Sequence, residues 1–64
     1  MNQATEAYIE LSLDIEAEEK RTNNYPHEIA HKLFDLMQTM TDAQIKDAEE
    51  VLAKIRSVIA AGDL

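Results

Sequence analysis

Apolar residues recur near the end of the chain at alternating steps of three and four, which is the period of a helix with one buried face. The positions that carry this pattern are Ile45, Ala48, Leu52, Ile55 and Ile59. Just before them, residues 41–44 read TDAQ, a capping box in which the Thr and Gln side chains satisfy backbone N–H groups of the first turn. Gly62 follows the last periodic residue and is a typical stop. The pattern therefore predicts an amphipathic helix over about residues 42–61.

The middle segment predicts a second helix that begins at a proline. Proline suits the first turn of a helix and disfavours helical geometry in the residue before it, so Pro26 marks a start. At about 100° per residue, one face of residues 26–39 and the position after it carries apolar side chains, namely Ile29, Leu33, Leu36, Met37 and Met40. Because the connection to the next helix is very short, the two are expected to form a tight hairpin or corner.

The first segment is ambiguous between helix and strand. Residues 9–18 alternate apolar and polar side chains without a break, which is the period of a half-buried strand. Their composition, however, is mostly Glu, Leu and Ala, which favour a helix, and a single strand would need a partner from another chain. We therefore predict a helix over about residues 3–20 and keep a strand-helix-helix dimer as the alternative fold.

A helix over this segment would be apolar on two sides. One face carries Ala4, Ala7, Tyr8, Leu11 and Ile15, and a second face, nearly opposite, carries Ile9, Leu13 and Ala17. We expect the second and third helices to make the core. The Ile9 face is then more apolar surface than so short a chain can cover, and the first helix would lie against a partner or a second copy.

Length and composition place the whole chain, residues 1–64, in a single small domain. At this size, folding buries only about 60% of the surface that the unfolded chain exposes, so stability is marginal. The sequence contains no cysteine that could form a disulfide or a Cys-based zinc site. The predicted fold is an all-α domain of three helices, stabilised as a homodimer or within a complex, and no cofactor is expected.

The chain is acidic, and its acidity is concentrated in the first segment. Its net charge is −7, from 13 Asp and Glu against 6 Lys and Arg, and residues 1–19 account for −6 of it. Four of these carboxylates recur at every fourth residue, namely Glu6, Glu10, Asp14 and Glu18. On a helix they would form a row with a spacing of about 6 Å. Such charge opposes binding to the phosphate backbone of nucleic acid and suits a basic surface on another protein.

Residues 27–31 read HEIAH and match the H-E-x-x-H motif of zinc peptidases, in which two His bind zinc and the Glu activates a bound water. A catalytic zinc needs a third protein ligand, and the sequence offers no further His and no Cys. So short a chain also leaves little surface for a substrate cleft. We therefore interpret His27 and His31 as boundary residues of the helix and expect no metal site. The alternatives are a divalent-metal site shared across a dimer and a hydrolase that uses Glu28.

The sequence thus predicts a non-catalytic acidic module that binds another protein, as an inhibitor, anti-activator, adaptor or co-chaperone does. The predicted partner-binding residues are Ile9, Leu13 and Ala17, which would be buried in the interface, and Glu10, Asp14 and Glu18, which would meet basic residues. The alternatives are the metal-dependent hydrolase and a DNA-binding regulator of strand-helix-helix build. No signal peptide and no apolar run of roughly 20 residues is visible, so a soluble cytoplasmic protein without membrane contact is expected.

Overall fold

The computed structural model describes residues 2–62, and all regular secondary structure in this range is helical. Helix α1 spans Gln3–Thr22, α2 spans His27–Met37 and α3 spans Asp42–Ala60. The predicted three-helix fold is confirmed, and its strand-helix-helix alternative is wrong. The helix-forming composition of the first segment outweighs a strand-like alternation that has no neighbouring strand to pair with. None of the three helices is long and apolar enough to cross a membrane.

Asparagine caps α1 at both ends. The Asn2 side chain accepts a hydrogen bond from the backbone N–H of Thr5 at 2.8 Å, which satisfies one of the first-turn donors. At the other end, Asn23 adopts the left-handed conformation with φ 58° and donates its backbone N–H to the Glu19 carbonyl at 2.9 Å. Asparagine tolerates this geometry better than most residues with a side chain. The cap lets α1 continue past the predicted end at residue 20 as far as Thr22.

Helix α2 is shorter than the predicted range of residues 26–39. Pro26 lies just before the helix, the helix ends at Met37, and the backbone N–H of Gln38 makes a last helical hydrogen bond to the Phe34 carbonyl at 3.2 Å. Beyond it, the backbone N–H groups of Thr39 and Met40 donate to the Leu36 and Met37 carbonyls at 2.9 and 3.1 Å, which tightens the chain into a turn. The turn brings Met40 into the core although this residue lies outside the helix.

The start of α3 is confirmed in detail. The backbone N–H of Gln44 donates to the Thr41 hydroxyl at 3.1 Å, and the backbone N–H of Thr41 donates to the Gln44 side chain at 2.9 Å. This is the reciprocal pair that defines a capping box. At the far end the helix stops at Ala60, and Gly62 follows with a positive φ of 75°, a conformation that suits glycine at a helix end.

Helix α1 is the helix to which the other two attach. Both α2 and α3 pack along it, whereas contacts between α2 and α3 are few. Tyr8 meets Glu49, and farther along Glu16 meets Arg56. Residue numbers in these two pairs rise in the same direction, so α3 runs parallel to α1. Because α2 joins the end of α1 to the start of α3, it runs antiparallel to both.

The core takes side chains from α1, which corrects an expectation from the sequence. Its buried cluster comprises Tyr8, Ile9, Met40, Ala48 and Leu52. The prediction that α2 and α3 alone make the core, with the Ile9 face left uncovered, is wrong. Since α1 is apolar on two sides, it is the helix that can bury surface against two neighbours at once.

Two small polar residues explain how both apolar sides of α1 serve one core. Thr5 and Ser12 are buried, with 4% and 8% of their surface exposed. At about 100° per residue, they lie on α1 between the side that carries Tyr8 and the side that carries Ile9. The buried arc is therefore continuous across both sides and wide enough to contact two helices.

The burial of Ile9 predicts the effect of truncating it. Replacing a buried Ile by Ala costs about 2–5 kcal/mol through lost burial and the cavity left behind. Ile9→Ala should lower the free energy of unfolding by this order, measured by urea denaturation followed by circular dichroism. Ile59→Ala removes the same atoms from a side chain that is 49% exposed, so it should cost much less. Equal, small losses in the two variants would contradict the placement of Ile9 in the core.

Candidate functional site

The outward side of α1 carries a row of exposed carboxylates, here called the acidic row, made of Glu6, Glu10 and Asp14. Successive members are four residues apart, so they follow one another at about 6 Å along the helix. Within residues 2–62, no ion pair joins any of them to a Lys, Arg or His. The row therefore keeps its negative charge, and each carboxylate contributes to the field outside the helix.

Glu18 was predicted as the fourth member of this row, but its surroundings differ. Arg21 donates to both of its carboxylate oxygens, from Nε at 3.0 Å and from Nη2 at 2.8 Å. These hydrogen bonds hold the pKa of the Glu18 carboxyl below its ordinary value. Each step of four residues also turns the row by about 40°, so Glu18 lies about 120° around α1 from Glu6. The charge of Glu18 is balanced by Arg21, and its side chain lies on a different side of α1 from most of the acidic row.

A shallow groove, here called the α1–α3 groove, runs between α1 and the end of α3. Its lining residues are Leu13, Glu16, Ala17, Lys20 and Ile59, and its volume is about 350 Å³. Leu13 is half-buried, whereas Ala17 and Ile59 are exposed. The groove thus presents apolar side chains that the chain itself covers only in part.

Four of the predicted partner-binding residues share this side of α1. At about 100° per residue, an arc of about 100° holds Leu13, Ala17, Glu10 and Asp14. Leu13 and Ala17 line the groove, and the two carboxylates continue from it around the helix. The fold therefore brings apolar and acidic groups together on one surface, and Ile59 joins them from α3.

Ile9 does not belong to this surface, which corrects its expected placement. Only 7% of Ile9 is exposed, and it shares the buried cluster with Ala48 and Leu52. A partner could touch it only after the core had opened. The reason is the packing of α1, whose buried arc includes the position of Ile9 while Leu13, one turn later, lies at the margin of that arc.

Two polar contacts hold α3 against α1 and so fix the walls of the groove. The Tyr8 hydroxyl donates a hydrogen bond to Glu49 Oε1, and Arg56 Nη2 lies 2.7 Å from Glu16 Oε1. Burial raises the pKa of the Tyr8 hydroxyl to about 12, and the hydrogen bond to Glu49 contributes to the rise. The sequence gives no signal for either contact, because Tyr8 counts there as an apolar residue and helix register is not visible.

The HEIAH segment lies at the start of α2 with both histidines exposed. His31 Nδ1 is 3.7 Å from Asp35 Oδ2, and the His27 ring makes an edge contact with Tyr25 at 5.1 Å between ring centroids. Among residues 2–62, no three or more His, Asp or Glu side chains are grouped so that they could hold a metal ion. The third protein ligand that a catalytic zinc requires is thus not assembled around His27 and His31.

The Tyr8–Glu49 contact predicts how stability responds to Tyr8→Phe. Loss of the hydrogen bond should cost about 0.5–1.5 kcal/mol near pH 7. The Tyr8 hydroxyl has a pKa of about 12 in the folded chain against 10.0 ordinarily, so above pH 10 the unfolded chain loses this proton while the folded chain keeps it. Folding then becomes less favourable as the pH rises from 10 towards 12.

The Tyr8→Phe variant has no hydroxyl at this position, so it lacks this pH-dependent loss of stability. The difference in the free energy of unfolding between the parent and the variant should therefore shrink as the pH rises from 10 towards 12. Urea denaturation of both proteins at several pH values between 8 and about 12 measures it. Groups that are common to both proteins cancel in the comparison. A difference that stays constant with pH would show that Tyr8 does not carry the raised pKa.

Comparison with protein-family models, with curated proteins and with solved structures gave no match for this chain. The residues and geometry described above are therefore the basis for any functional conclusion.

Proposed function

We propose that this protein is a non-catalytic interaction module that binds a partner protein bearing a basic surface, as an inhibitor, anti-activator, adaptor or co-chaperone does. One observation carries the proposal. Glu10 and Asp14 are exposed carboxylates without an ion-pair partner in the described chain, and they share one side of α1 with Leu13 and Ala17. Leu13, Ala17 and Ile59 are partly covered apolar residues that line the groove. Interfaces combine these two components, with an apolar centre and a polar rim.

The acidic row supplies orientation and speed of association. The chain carries −7 overall and −6 within residues 1–19, so the negative field is strongest near α1. A basic partner surface would be attracted from a distance of about 10 Å or less at ordinary ionic strength. This attraction raises the association rate and selects the orientation in which positive groups meet the row. It also makes binding sensitive to salt.

The apolar residues supply the part of the affinity that salt does not remove. Exposed ion pairs contribute at most about 1 kcal/mol each, so a row of carboxylates alone binds weakly. Affinity in most interfaces comes from a few apolar or aromatic anchors that are fully desolvated at the centre. Leu13 and Ile59 are the large side chains of the groove that a partner could desolvate further.

A non-catalytic role also fits the chemistry of the described residues. The carboxylates of the acidic row are exposed on the surface of α1, whereas catalytic acids and bases usually line a cleft. His27 and His31 are exposed as well, with no third ligand grouped beside them. The DNA-binding alternative relied on a strand at residues 8–17, and this segment is part of α1.

The homodimer and the cytoplasmic location expected from the sequence remain part of the proposal. For self-association, the chain offers large exposed apolar side chains outside the groove, Tyr25 at 46% and Phe34 at 57% exposure. A homodimer through the exposed Phe34 of α2 would leave the acidic row of α1 accessible. Its mass in sedimentation equilibrium would be twice the 7.2 kDa of one chain.

Neutralising part of the acidic row should weaken partner binding. We expect the double variant Glu10→Gln with Asp14→Asn to retain less partner than the parent protein when both are immobilised and exposed to lysate of the source cell at low ionic strength. The matched control is Asp47→Asn with Glu50→Gln, which removes the same charge from exposed positions of α3.

The control should retain as much partner as the parent protein does. Raising the salt concentration should release the partner from the parent and from the control. If both double variants retain less partner than the parent, and by the same amount, then net charge, and not the surface of α1, attracts the partner. Partner retention that is unaffected by salt in all three proteins would contradict the electrostatic part of the proposal.

A further inference from the structure

The α1–α3 groove lies between two parallel helices and is open along one side. Leu13 and Ala17 come from successive turns of α1, about 6 Å apart, and Ile59 faces them from α3. Ala17 has the smallest of the lining side chains, so it leaves the most room in the groove at that point. A rod-like occupant with its own apolar stripe could lie along such a surface.

The secondary structure of the chain limits what form an occupant can take. Strand addition requires an exposed sheet edge, and residues 2–62 contain no strand. Recognition of proline-rich segments uses aromatic-lined grooves, and none of the lining residues is aromatic. Another common mode lays an amphipathic helix into an apolar groove, with anchors at successive turns. The spacing of Leu13 and Ala17 fits that mode.

Charge complementarity specifies the occupant further. The acidic row lies on the same side of α1 as Leu13 and Ala17, with carboxylates at steps of about 6 Å, and Lys or Arg residues four apart on a helix have the same spacing. Glu6, Glu10 and Asp14 span about 12 Å along α1, so up to three such cations can face them. Like charges would repel in this position, which excludes an acidic helix.

The far end of the groove carries a positive charge, which determines which end of the occupant can be basic. Lys20 lines the groove there, and no ion pair joins it to a carboxylate within residues 2–62. A basic residue opposite Lys20 would be repelled. The occupant should therefore be basic over the stretch that faces residues 6–14 and neutral or acidic over the stretch that faces Lys20.

We propose that the α1–α3 groove binds an amphipathic helix of the partner protein, whose apolar stripe covers Leu13, Ala17 and Ile59 and whose Lys and Arg residues pair with the acidic row. This inference rests on the proposed function and names the part of the partner that is recognised. Ala17 is the residue that tests it best, because Ala17 is exposed and a longer side chain there blocks the groove without entering the core.

The test uses three synthetic peptides of equal length and the full chain. The first peptide is an alanine-based helix with leucines at i, i+4 and i+7 and three lysines spaced by four beside them. The second has the same composition in an order that destroys the stripe, and the third carries glutamate in place of each lysine. Binding is measured by titration into labelled protein, followed by amide chemical shifts.

The striped basic peptide should bind at least about tenfold more tightly than the shuffled one, a difference of about 1.4 kcal/mol. Shifts should be largest around Leu13, Ala17 and Ile59. Ala17→Arg should weaken binding of this peptide by at least about tenfold, through steric block and repulsion of lysine. Ala53→Arg, the same change at an exposed alanine of α3 outside the groove, should leave binding unchanged.

The remaining outcomes separate this inference from the proposed function. Equal binding of striped and shuffled peptides, with both weakened by Glu10→Gln and Asp14→Asn, would overturn the helix in the groove and leave the acidic docking surface standing. Failure of both basic peptides to bind better than the glutamate peptide would overturn both. Concentration-dependent shifts at the groove in protein without peptide, abolished by Ala17→Arg, would assign the groove to a second copy of the chain instead.

Discussion

The attachment of two helices to one continuous arc of α1 is the interaction on which the rest of the molecule depends. Tyr8 and Ile9 anchor the two sides of this arc, with Ser12 buried between them. A domain of this size has one core, and its stability comes from that core. Because charged groups are costly to bury, the carboxylates of the acidic row lie on the opposite arc of α1. The same packing thus produces the core and leaves the acidic row exposed beside the groove.

Much of the fold is visible in the sequence, because helix ends depend on local chemistry. The capping box at Thr41 and the stop before Gly62 are short-range signals, and α3 begins and ends close to its predicted bounds. The role of α1 in the core is not visible in the same way. A pattern of apolar residues alone splits α1 into two separate faces, because it leaves out Thr5 and Ser12, the buried polar residues that join them.

The surface was predictable in part for a related reason. Spacing along one helix is enough to group Glu10, Leu13, Asp14 and Ala17. Whether a neighbouring residue such as Ile9 is buried depends on how α3 is rotated and shifted against α1, and that register is set by tertiary contacts such as Tyr8 with Glu49. The contribution of Ile59 to the groove has the same origin. The Glu18–Arg21 pair is a local i,i+3 contact, so its neutralising effect is readable from spacing alone.

Native-state amide hydrogen exchange on the isolated protein tests the central position of α1 most directly. If α1 is the shared core helix, the amides of residues 9–13 should exchange only by global unfolding, with the same opening free energy as those near Leu52 in α3. Frayed residues at the helix ends should exchange earlier. Fast exchange throughout α1, while α2 and α3 stay protected together, would contradict the account, since it would mean that α2 and α3 form the core without α1.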